Sequence, residues 1–96
     1  LNLVDCLNWP SGTPPQEPKG LGVPVLLLGV QNDPIVGNEG VAAVAATVIN
    51  AGAPNRRVIW QGIGHGASMN SPCALAPVLS YLASGKLPGT DTYCPA

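Results

Sequence analysis

The hydrophobic pattern of this chain changes character several times after a long irregular start. Residues 1–22 show no period. The stretch "WPSGTPPQEPKGLG" interrupts every run with Pro or Gly and predicts an extended connector. "VPVLLLGV" (23–30) is then short and continuously apolar, bounded by Gly22 and the polar "QNDP", as expected of a buried strand. Pro24 stands at its start, where a missing N–H is tolerated. In "NEGVAAVAATVINAG" (38–52) the period switches. Val41, Val44, Ala45 and Val48 fall at i, i+3, i+4, i+7 and predict a helix with one apolar face. Asn38 reads as its N-cap, Glu39 suits the first turn, and Gly52 followed by Pro54 stops it. "RRVIWQGI" (56–63), rich in β-branched and aromatic residues, predicts a second strand. After the loop "GHGASMNSP", Leu75, Val78, Leu79 and Leu82 predict a second helix over about 74–84. Ser71 can cap it, Pro72 suits its first position and Gly85 ends it. Pro77 requires a late start or a kink. The tail "KLPGTDTYCPA" reads as turn-rich coil.

Strand, helix, strand, helix is the order of an α/β fold. A strand–helix–strand unit of this length implies parallel strands joined by a crossover. Parallel sheets are normally buried on both faces, so two such strands make no stable sheet alone. The expectation is therefore a β-α-β-α portion at the end of a larger α/β fold, incomplete without upstream strands, with helices packing on the sheet. The strand at 23–30 would then carry an exposed edge, through which a homo-oligomer can form.

Composition narrows the function. Of 96 residues, 46% are hydrophobic and 9% charged, which argues against disorder and leaves apolar surface for something outside the chain. Four basic residues and a net charge of −1 give no footprint for nucleic acid or anionic membrane. The longest strongly apolar stretch, at 23–30, falls far short of the roughly 20 residues that span a bilayer. The chain opens in mid-segment at "LNLVDC", without Met or signal peptide, and reads as a fragment or a processed product. Three cysteines allow one internal pair in an oxidising compartment and leave one thiol over.

The candidate chemistry lies after the two strands. Asp33 comes after the first and His65, the only histidine, after the second, between Gly64 and Gly66. Loops at the carboxyl ends of parallel strands are where sites form, so this pair can meet. The carboxylate would accept the Nδ1–H and fix the tautomer; the other ring nitrogen would serve as general base. A competing reading makes Asp33 a turn residue before Pro34 and His65 a plain loop residue. Asp before His is also the order of α/β-hydrolases, where the nucleophilic Ser comes earlier. No G-x-S-x-G is present; Ser11, Ser68, Ser71, Ser80 and Ser84 all lack that elbow.

Three longer segments carry a resemblance. "VPVLLLGVQNDPIVGNEGVAAVAATVINAG", "GIGHGAS" and "CALAPVLSYLASGKLPGTDTYC" resemble the C-terminal region of the secreted bacterial tripeptidyl-aminopeptidase-like family of α/β-hydrolases, and "CLNWP" resembles the point where that family's chain leaves the lid. The resemblance covers nearly all of the chain. It implies that Asp33 is the acid and His65 the base of a Ser-His-Asp triad, and that Cys73 and Cys94 form a disulfide. Cys6 would then be free or paired between chains. It also implies that 1–22 is a connector from a missing lid, that 23–96 carries the acid and the base, and that the protein is secreted or attached to the cell envelope. The usual Asp before Trp-Pro is Asn8 here. The nucleophilic Ser would come from the upstream part of the same protein, the substrate would be a peptide or an ester, and no cofactor or metal is expected.

Other readings of the same residues compete. "GIGHGA" fits a dinucleotide-binding fingerprint, but no later strand is predicted to supply a ribose-binding acid. Cys73 beside His65 would suit a Cys-His enzyme. A zinc site wants three or four ligands, more than one His and scattered Cys provide. Arg56 and Arg57 read as a solvated strand end, and Trp9 and Trp60 as packing residues. Two function classes remain: the acid-and-base portion of a serine hydrolase, inactive by itself, or a non-catalytic binding or structural module that keeps the fold. A G-x-S-x-G in the reading frame upstream of Leu1 separates them.

Overall fold

The computed structural model describes residues 6–96. Residues 1–5 of the predicted connector lie outside the described residues. The described part of the connector, as far as Pro24, has no α-helix or strand. The ordered elements are β1 (Val25–Asn32), α1 (Asn38–Asn50), β2 (Asn55–Ile63), α2 (Ala67–Asn70), α3 (Pro72–Ser84) and β3 (Thr92–Cys94). The sheet runs β1-β2-β3, and both pairings are parallel. It is the α/β arrangement read from the hydrophobic pattern, with one strand more.

Alternation along β1 divides the core in two. Leu27 joins Ala45, Val48 and Ala53 in a cluster under α1. Val30 joins Val58, Ala67, Ala74 and Cys94 on the other face, under α2 and α3. A strand covered on both faces cannot alternate apolar with polar, which is why β1 reads as an unbroken apolar run. Helix α1 ends in a Schellman arrangement: Gly52, at φ +78°, donates to the Ile49 carbonyl and Ala53 to Val48.

Several expectations need correction. The tail is not all coil: Thr92–Cys94 pairs with Val58–Trp60 as β3. The loop after β2 contains the short helix α2. Asn38 is not an N-cap; it is the first helical residue, and Gly37 precedes it with no side-chain cap. Helix α3 does not start late: it begins at Pro72 with Ser71 accepting from the Ala74 N–H, as expected of those two residues, and it runs through Pro77. Arg56 is not a solvated strand end; its guanidinium donates to the carbonyls of Asn55 and of Gly89 in the tail. Trp9 does not pack but is exposed, whereas Trp60 lies half-buried against the Val30 and Val58 cluster. The predicted helix stripes are not buried as expected. In α1, Val44 faces outward beside buried Ala45 and Val48. In α3, Leu75, Leu79 and Leu82 are exposed, Val78 is half-buried and the buried residue is Ala74. Helical period fixes which residues share a face. It does not fix what covers that face.

Candidate active site

Both candidate residues stand at the same end of the sheet. Chain direction is common to all three strands, so the segments that leave β1 and β2 emerge side by side. The pairing of β1 with β2 is regular from Val25↔Asn55 to Val30↔Trp60, and then slips: Asn32 faces Ile63, so β2 holds one residue more than β1. Such a bulge bends the strand and re-aims the residues beyond it. Gly62 sits in the bulge because the Trp60 ring lies across it; a β-carbon there would stand 2.2 Å from the ring.

Asp33 is fixed by its own neighbours. One carboxylate oxygen, Oδ1, accepts the backbone N–H of Ile35 at 2.8 Å and of Val36 at 2.9 Å, closing an Asx-type turn over Pro34. The other oxygen, Oδ2, lies 2.8 Å from His65 Nδ1. The turn reading and the pairing reading are therefore compatible: one carboxylate does both, one oxygen each. The Val36 N–H is the largest influence that holds the Asp33 pKa below its ordinary 3.8; burial opposes it, and the Ile35 N–H and the imidazole add to it. An ionised carboxylate only accepts, so Nδ1 is the protonated ring nitrogen and Nε2 is the free one. Only 7% of the Asp33 side chain is exposed, against 50% for His65. The acid is sheltered and the ring presents itself to solvent.

His65 is held differently. Gly64, at φ +145°, donates to the Asn32 carbonyl at 3.2 Å, and Gly66 adopts φ +87°. Those backbone angles need glycine, so the two glycines around the histidine are conformational requirements. Beyond them, the Asn70 side-chain amide donates to the carbonyls of His65 at 2.9 Å and of Gly66 at 2.8 Å. Asn70 was not among the sequence candidates. Its signal, an Asn five residues after the His, has meaning only once α2 folds the chain back.

A cleft of about 260 Å³ opens beside the pair, lined by Leu28, Val30, Val36 and Val41 as well as by Asp33 and His65. Apolar walls with one convergent polar pair are the usual make-up of a ligand site.

Two rival chemistries lose their basis. Gly62 is inside β2 and α2 is only four residues long, so "GIGHGA" forms no phosphate-binding turn at the start of a helix. Cys73 is bonded to Cys94, at a Cα–Cα distance of 5.7 Å, and offers no thiolate. Among the described residues no group of three or more His, Cys, Asp or Glu side chains is placed to hold a metal ion, and Cys6 is an exposed free thiol. No helix among the described residues is long and apolar enough to cross a membrane.

Against known proteins, a family model described as TAP-like protein, one of the α/β-hydrolase families, matches residues 1–94. No curated protein and no solved structure matches the chain. The chain belongs to the TAP-like family.

Proposed function

We propose that this TAP-like chain supplies the acid and the base of a Ser-His-Asp hydrolase. Asp33 orients the imidazole through Nδ1. His65 Nε2 takes the proton from a serine Oγ as that oxygen attacks an acyl carbonyl, and returns it to the leaving amine or alcohol. Asp33 stays ionised throughout and offsets the positive charge that the ring acquires. The observation that carries this reading is the 2.8 Å contact between Oδ2 and Nδ1, at neighbouring strand ends, with the ring half open to a cleft. The substrate is a peptide, cut in the manner of a tripeptidyl aminopeptidase, or an ester.

The nucleophile belongs to a segment upstream of Leu1, since no serine here lies in a G-x-S-x-G. That segment packs along the free edge of β1 and over the exposed apolar residues. Residues 1–22 lead from its lid, and 23–96 form the part that carries the pair. The disulfide suits an oxidising compartment, outside the cell or in its envelope.

The test has two steps. The upstream reading frame is inspected for the serine elbow, and the polypeptide that carries it is assayed on peptide-coumarin and nitrophenyl ester substrates. Hydrolysis that is lost with His65→Ala supports the proposal. A frame with no elbow overturns it in favour of a non-catalytic module, and activity indifferent to His65→Ala overturns the role given to His65.

A further inference from the structure

We infer that Asn70 is a positioning residue for the histidine: its amide clamps the backbone on which the imidazole is carried. This rests on the triad reading above, although its physical content does not. A ring that is 50% exposed has little packing to hold it. Its one side-chain partner, Asp33, fixes Nδ1 and leaves the backbone free to tilt about that contact. Among the described residues, that backbone is restrained on both sides of the ring, and the Met69 N–H also donates to the Gly66 carbonyl at 3.2 Å. Before the histidine, the Gly64 N–H is tied to Asn32 at the end of β1. After it, the Asn70 Nδ2 donates one hydrogen to the His65 carbonyl and one to the Gly66 carbonyl.

Those two carbonyls flank Gly66, the residue with φ +87°, where an unrestrained glycine has the most freedom to move. The clamp therefore acts at the turn that only glycine adopts easily. Both neighbours of Nδ2 are carbonyl oxygens, so the amide is oriented without ambiguity and both of its donors are used. Helix α2 is only four residues long and its N-cap, Gly66, has no side chain to offer. Asn70, its last residue, reaches back over that turn and donates to its carbonyls; it does not cap the helix N–H groups, which need an acceptor.

Asn70→Asp tests the assignment most sharply. It keeps the shape and sets a carboxylate against two carbonyl oxygens. NMR on the polypeptide that carries the serine, isotope-labelled at His65, Gly66 and Asn70, reads the outcome. In the parent chain, the Asn70 NH₂ protons exchange slowly and show couplings to the His65 and Gly66 carbonyl carbons. In Asn70→Asp and Asn70→Ala, the Nδ1–H proton of His65 broadens and the ring nitrogens shift toward a mixture of tautomers. The Ile35 and Val36 amides, which report the Asp33 turn, stay in place. In the active polypeptide, both variants lower kcat about 100-fold with KM little changed, the size expected when a catalytic group is misplaced by about 1 Å.

Unchanged ring signals in both variants overturn the inference. If the variants fail to fold, the parent chain decides alone: Asn70 NH₂ protons that exchange as fast as a free amide also overturn it. Loss of activity with His65→Ala but not with either Asn70 variant refutes the clamp and leaves the triad standing. Activity indifferent to His65→Ala refutes the triad, and the NMR result still judges the clamp.

Discussion

The loop after β1 and the loop after β2 end side by side, yet they are built on opposite plans. Asp33 is held by donors two and three residues away, within one turn. No residue from 33 to 37 has a positive φ. His65 is held by Gly64 bonding back to β1, by a left-handed Gly66 and by an amide five residues on. The first loop closes within one turn; the second needs α2 to fold back and a tie to the neighbouring strand. The acid thus has one fixed place, while the base is adjustable, and damage elsewhere in the domain reaches the base first.

The largest expected effect separates the two loops by activity. In the polypeptide that carries the serine, Asp33→Asn keeps an acceptor for the Ile35 and Val36 amides but loses the charge at His65. The turn survives, and kcat falls by about 10⁴ through the wrong tautomer. His65→Ala abolishes turnover and leaves the Asp33 turn untouched. Steady-state kinetics beside amide shifts of Ile35 and Val36 check both; a collapsed turn in Asp33→Asn breaks the contrast. Next is the disulfide. Cys73 and Cys94 are 21 residues apart, and opening a loop of this size costs about 3 kcal/mol in the chain-entropy model. Both cysteines lie downstream of His65, in α3 and β3. Thermal melts with and without reductant should show the loss, and hydrogen exchange should quicken in α2 and β3 before it does at Ile35.

Smaller is Gly66→Ala. At φ +87° a β-carbon costs about 1–2 kcal/mol, and the Met69 terminal methyl, 2.6 Å from the new carbon, must swing away. Urea midpoints of this variant and of Pro34→Ala compare the loops directly; Gly66→Ala should lose more. The smallest effect is a pH dependence. The folded pKa of Asp33 lies below 3.8, so its contribution to stability is complete above pH 3.8 and is lost as pH falls through the lower folded value. A carboxyl-carbon titration should give a midpoint under 3.8. Because the Val36 N–H is the largest cause, the midpoint should stay under 3.8 in His65→Ala. A midpoint that returns to the ordinary value would transfer control of the acid to the base.

The same contrast decides how much of the molecule could be read from its residues. β1, α1 and β2 were legible because a long apolar run and a 3.6-residue period are local signals. β3 was not: "TYC" has three residues among Pro and Gly, and only its pairing with Val58, Ile59 and Trp60 makes it a strand. Helix α2 is too short to show a period. Asp33 and His65 stood out as single residues after predicted strands. The 2.8 Å between them depends on the bulge in β2, which the pattern "WQGIG" gives no means of counting. Asn70 was invisible because its partners are backbone carbonyls, which every residue has. Leu75, Leu79 and Leu82 share a face, but that face is exposed and the buried residue of α3 is Ala74; no pattern within a helix says where its cover comes from.

The parallel course of the sheet also sets a timetable. Asp33 and His65 are 32 residues apart in the chain, and the Arg57 N–H that bonds Asp91 is 34 from it. Each contact closes only after a complete crossover has formed, and contacts between distant parts of a chain are the slow ones in folding. During refolding, helical content should therefore return well before the acid meets the base. A chain interrupted between β1 and β2, as by a protease or a stalled ribosome, would hold a finished Asx turn and no site at all.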